Sequence, residues 1–158
     1  MTDKTIRGSD AFAPLGRPVM VYDSECAFCR RWVAVWRELT AEEVEYLPAL
    51  EAQARIPGLE PESLAVAVHL VEPGGRVVRG AEAVARSLAA GKRGRALRLY
   101  LRHPAFGRVA EAAYRMVALH RGAMGWLDGL LFGEEGGRMG HQARRWLGEA
   151  IAGGPDRA

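Results

Sequence analysis

The sequence predicts an α/β fold, a central mixed sheet of about four strands flanked by helices, with extra helices towards the C-terminus. Three observations lead there. Hydropathy runs strand, helix, strand, then a strand pair around a Pro-Gly-Gly turn, then helices only. The two cysteines, Cys26 and Cys29, stand where the first strand gives way to the first helix. The composition, 49% apolar and 26% charged over 158 residues, is that of one globular domain able to bury a core without staples.

Residues 1–16 are polar and without period, and are expected as a loose arm. "PVMVY", 18–22, is a short apolar run that Pro18 can begin, the first strand. Phe28, Trp32, Val35, Trp36 and Leu39 then recur at helical spacing, predicting a helix over 26–39. Trp32 and Trp36, one turn apart, are expected as core packing. "VEYLPA" alternates as a second strand near 44–48, parallel to the first through that helix. Thr40 to Glu43 also fits a capping box, hence a short helix. "SLAVAVHLVEPGGRVVRG" reads as two antiparallel strands, 64–71 and 76–79. Helical patterns follow at 81–90, 95–102 and 107–120, broken at Gly91, Gly94 and Pro104, and should cover the sheet. Beyond Arg121 lie "WLDGLLFG" and, around "HQARRWLGEAI", a last helix. The domain is thus expected over 17–121, with 122–158 a helical extension and tail.

Composition excludes several classes. No run of about 18 apolar residues exists, so no transmembrane helix is expected. The start, "MTDKTIRGSDAF", has no apolar core of a secretory signal, and two cysteines are too few for a disulfide-stapled secreted domain. A cytoplasmic location is the expectation. Net charge is +3, from twenty arginines and only two lysines, Lys4 and Lys92, without one long basic block. "GKRGRALRLYLRH" gathers Lys92, Arg93, Arg95, Arg98, Arg102 and His103 around Leu97, Leu99 and Leu101. It is read as a solvated helix face, and no nucleic-acid partner is expected.

A Cys-x-x-Cys between a first strand and a first helix is the thioredoxin-like arrangement. Free N–H groups and the positive end of the helix dipole stabilise a thiolate on the first cysteine. The second faces the same helix end, close enough to attack a mixed disulfide. Two alternatives stay open. Zinc would need two more ligands, and His69, His103, His120 and His141 form no second paired motif. Two inert buried thiols also fit the pattern. A haem attachment would need His after the second cysteine, where Arg30 stands.

"YDSECAFCRRW" resembles the signature of the DCC family of predicted thiol–disulfide oxidoreductases, with Asp23, Cys26 and Cys29 matching its Asp-x-x-Cys-x-x-Cys pattern. "GAEAVARSLA" is similar to the family's Gly-x-x-Ala helix and "AYRMVALHR" to its closing Tyr-Arg…Arg helix, so the resemblance spans about residues 18–121. It implies a thioredoxin-like fold and a dithiol–disulfide activity but no particular substrate; protein or small-molecule thiols and disulfides are the expected partners, and no cofactor or metal is expected. Ser24 stands where the family usually has Gly. Thioredoxins proper also carry a cis-proline before their third strand, and the nearest candidate is Pro61.

The site expected from these readings is Cys26 as attacking thiol, Cys29 as resolving thiol, and Asp23 beside them. Asp23 stands three residues before Cys26, placed to cap the helix or to move a proton to or from Cys29. Its charge opposes a thiolate on Cys26 by about 2 kcal/mol at about 7 Å, nearly cancelling the roughly 0.5–2 kcal/mol from the helix terminus. A reductant therefore fits better than a strong oxidant. His120 and Arg121 are further candidates for the neighbourhood of the cysteines. The competing function class is a non-catalytic thioredoxin-like binding module that uses the basic helices, or a zinc-binding protein.

Overall fold

The computed structural model describes residues 4–5, 15–91 and 94–120. Its sheet has the order β1-β5-β4-β2-β3, built from β1 (Lys4–Thr5), β2 (Val19–Tyr22), β3 (Glu45–Pro48), β4 (His69–Val71) and β5 (Arg76–Arg79). The helices are α1 (Ala27–Thr40), α2 (Ala49–Arg55), α3 (Pro61–Val66), α4 (Gly80–Ala90), α5 (Arg95–Arg102) and α6 (Pro104–Leu119). As the pattern predicted, β2 and β3 are parallel with α1 as the crossover, while β4 and β5 form an antiparallel hairpin. The two-residue β1, inside the expected arm, adds an antiparallel edge against β5.

The fully apolar β2 follows from its central place. Val19 and Val21 face one core with Leu47, Val71 and Val77, closed by Ala52 and Ile56 of α2 and Leu64 of α3. Met20 faces the other with Tyr46, Leu70 and Val78, closed by Val33 of α1 and Ala83 of α4. Alternate residues of each strand thus feed opposite cores, so both faces of the sheet are dry and an apolar-polar alternation is absent.

Four expectations are corrected. The strand expected from residue 64 starts only at His69, because Pro61 at the first helical position and Glu62 in the first turn start α3 instead. A short apolar run such as "LAVAV" suits a buried strand or a helix equally, and its flanks decide. The capping box at Thr40–Glu43 is absent. The Thr40 hydroxyl donates back to Trp36 O at 2.9 Å and receives the Tyr46 hydroxyl at 3.0 Å, leaving one uncapped 3₁₀ turn, Ala41–Glu43. α2 was hidden behind Pro48, which ends β3 and leads directly into a helix. The C-terminal helices do not all cover the sheet: α4 does, and α5 and α6 pack chiefly on α4 and on each other. α6 also begins at Pro104, three residues earlier than its apolar spacing indicated. The last helix expected around residues 141–151 lies outside the described residues.

Candidate active site at the start of the first helix

The chain leaves β2 at Tyr22 and turns into α1 over residues 23–26. Asp23 Oδ1 accepts the Glu25 N–H at 2.9 Å, a local turn bond, and the Arg30 guanidinium reaches back to Ser24 O at 2.5 Å. The helix cap is therefore not Asp23. Cys26 itself takes the N-cap position with extended backbone, and its Sγ accepts the Cys29 N–H at 3.3 Å. Asp23 is too far back along the turn, and its carboxylate is engaged at Glu25. Cys26 and Cys29 are both thiols and both half-buried. No acidic residue occupies the first turn of α1. The donor end of the helix thus points at the Cys26 sulfur without an opposing carboxylate on the helix itself.

Cys29 looks into a groove beside this turn. One wall is α1, with Phe28, Cys29, Trp32 and Trp36; Asp23 closes the end. Leu64, Ala67 and Val68 form the second wall, and Tyr114, Val117 and Ala118 of α6 the third. Phe28, Trp32 and Trp36 stack as a tilted ladder, with ring centroids 6.0 and 6.3 Å apart. Trp36 also packs against the inner core, so the expected core role holds for Trp36, while both indoles line the groove.

The second and third walls are fastened from behind. The Tyr114 hydroxyl accepts the Val68 N–H at 2.9 Å. His69 Nδ1 donates to Ala67 O at 2.9 Å, which leaves Nε2 to accept the Ser63 hydroxyl at 2.8 Å. Burial, and then the Arg79 cation, push His69 below the usual imidazole pKa, and the Ala67 carbonyl opposes this only in part. Glu111 of α6 accepts the Glu82 N–H at the start of α4 and the Tyr100 hydroxyl at 3.1 Å. Burial and Glu111 push Tyr100 up to about 12. A side chain on Gly80, whose φ is +66°, would meet Glu111 Oε2 at 2.9 Å, so this helix start takes glycine.

The structure brings Asp23 and Cys29 together in the groove; Cys26 does not line it, but its Sγ lies 3.3 Å from the Cys29 nitrogen. His120 is not there: it ends α6, exposed, with Nδ1 donating to Met116 O at 2.8 Å. Arg121 lies outside the described residues. Pro61 opens α3, and among the described residues no peptide bond is cis. The arginines of α5, Arg95, Arg98 and Arg102, are exposed. Among the described residues no three His, Cys, Asp or Glu side chains converge to hold a metal, and no helix is long and apolar enough to cross a membrane. Sequence reasoning missed the groove walls, although Tyr114, Val117 and Ala118 share one helical face in "AYRMVALHR".

A cysteine pair opening the first helix of a helix-covered mixed sheet defines a thioredoxin-like protein with a redox function. The model of the DCC1-like thiol-disulfide oxidoreductase family matches residues 20–127, and the chain belongs to that family. No curated protein and no solved structure matches it.

Proposed function

We propose that the protein is a dithiol–disulfide oxidoreductase in which Cys26 attacks and Cys29 resolves. The observation that carries this is the N-cap position of Cys26, whose sulfur already accepts a backbone N–H at the helix terminus. The Cys26 thiolate attacks one sulfur of a substrate disulfide, forming a mixed disulfide and expelling the other sulfur as a thiolate. Cys29, one turn on and at high effective concentration, then attacks Cys26 Sγ and releases the second substrate thiol. Two electrons and two protons pass to the substrate, the pair becomes a disulfide, and a cellular dithiol must reduce it again. Asp23, sharing the groove with Cys29, is proposed to take the Cys29 proton during resolution.

Cys29→Ser should trap partners on Cys26 as adducts that a reductant dissolves, and Cys26→Ser should trap few. Equal, scant trapping by both, with no intramolecular disulfide in the wild type, would reject the reading. Resolution at wild-type speed in Asp23→Asn would reject the proton role alone. Small-molecule or protein disulfides fit this scheme, and a cytoplasmic setting suits a chain that must keep being reduced. A zinc or purely binding role has less support: both ring nitrogens of His69 are already taken, by Ser63 and Ala67.

A further inference from the structure

The groove beside Cys29 is one-sided in its chemistry. Aromatic rings of α1 line it on one side, and Leu64, Ala67 and Val68 with Tyr114, Val117 and Ala118 of α6 line the others. Among the described residues Asp23 is the one carboxylate that lines it, and no lysine or arginine does. The reacting sulfur is close by: Cys29 lines the groove, and Cys26 Sγ lies 3.3 Å from the Cys29 nitrogen. A residue next to a substrate cysteine has its Cα about 3.8 Å from that of the cysteine. Once the cysteine is bonded to Cys26, its neighbour is therefore within reach of the groove. We infer that the groove receives a large apolar side chain adjacent to the reacting cysteine of a peptide or protein disulfide. This rests on the dithiol–disulfide reading above.

The same features disfavour glutathione disulfide. Its cysteines are flanked by a glycine and a γ-linked glutamate, which offer no apolar side chain and bring carboxylates towards Asp23. Substrate choice is therefore made beside the resolving cysteine, by Trp32 and Val117, while Cys26 supplies reactivity.

The test is the rate at which the reduced protein is oxidised by synthetic peptide disulfides whose cysteine is followed by Leu, Ser or Asp, with oxidised glutathione alongside. The Leu peptide should react at least about tenfold faster than the Ser peptide, as burial of one aliphatic side chain requires, with the Asp peptide and glutathione slowest. Val117→Asp and Trp32→Ala should each shrink the Leu-over-Ser preference to within about twofold. Leu50→Ser, at an exposed apolar position on α2, should keep it. Equal rates for all peptides in the wild type, or a preference that survives both groove variants, overturns the inference while leaving the redox reading in place. No exchange with any disulfide, together with no trapping by Cys29→Ser, overturns both.

Discussion

His69 is a buried histidine whose two ring nitrogens are both used, one by the Ala67 carbonyl and one by the Ser63 hydroxyl. Burial disfavours the charged ring, and in the neutral form Nδ1 donates to Ala67 O while Nε2 accepts from Ser63. Since the folded pKa lies below the unfolded value near 6.5, the unfolded chain binds the proton first as pH falls. The contribution is fully present above about pH 6.5 and is lost as pH drops through the folded pKa. Urea melts should show stability falling between about pH 7.5 and 5.5, and His69→Gln should flatten that slope. An equal slope in the variant would place the sensitivity elsewhere. The residue bears on function because the segment it braces, 63–68, is a wall of the groove.

At the level of elements, α1 and α4 meet at their C-terminal ends. A Cβ on Gly91 would stand 2.6 Å from Thr40 Cα and 3.0 Å from Leu39 O, so the helices touch backbone to backbone there. Gly91→Ala should force them apart and lower stability by about 1–3 kcal/mol. Ala41, just past α1, shows the reverse mismatch, with φ 48° and ψ −133°, a conformation that favours glycine. Ala41→Gly should raise stability by about 1 kcal/mol, seen as a several-degree rise in Tm. Neutral results at both sites would mean that this corner is looser than the structure has it. A third contact binds helix to hairpin: Arg86 bridges Glu82 of its own helix at 2.8 Å and Glu72, after β4, at 3.1 Å, partly shielded from water. Glu72 opens the Pro-Gly-Gly turn, so this contact ties α4 to the turn end of the hairpin.

Across the whole molecule, what the sequence made legible was what depends on short range. The β2–α1–β3 unit, the hairpin turn and the cysteine pair at a helix start were all readable from spacing and turn residues. The apolar run at 64–68 was not, because both faces of this sheet are covered and a buried strand then shows no alternation to distinguish it from a helix. A cap was one of the two roles expected of Asp23, because residue preference favours Asp there, whereas the turn geometry gave the position to a sulfur. The groove was least legible of all. Its walls come from three segments separated by dozens of residues, and only the fold brings Tyr114 to the backbone of Val68. The outer helices show the same limit. α5 and α6 carry apolar residues on several sides, and Val109, Met116 and Leu119 remain exposed among the described residues.

The cap at Cys26 has a consequence for how such a chain can drift over generations. One sulfur serves the first turn of α1 and, in the proposed exchange, the attack as well. A lineage that gave up the reaction would not thereby free position 26, since alanine there would leave the Cys29 N–H without its acceptor. Descendants would be expected to hold cysteine or pass to serine, threonine, asparagine or aspartate at that position. Position 29 enters the cap through its backbone N–H, which any residue but proline would supply.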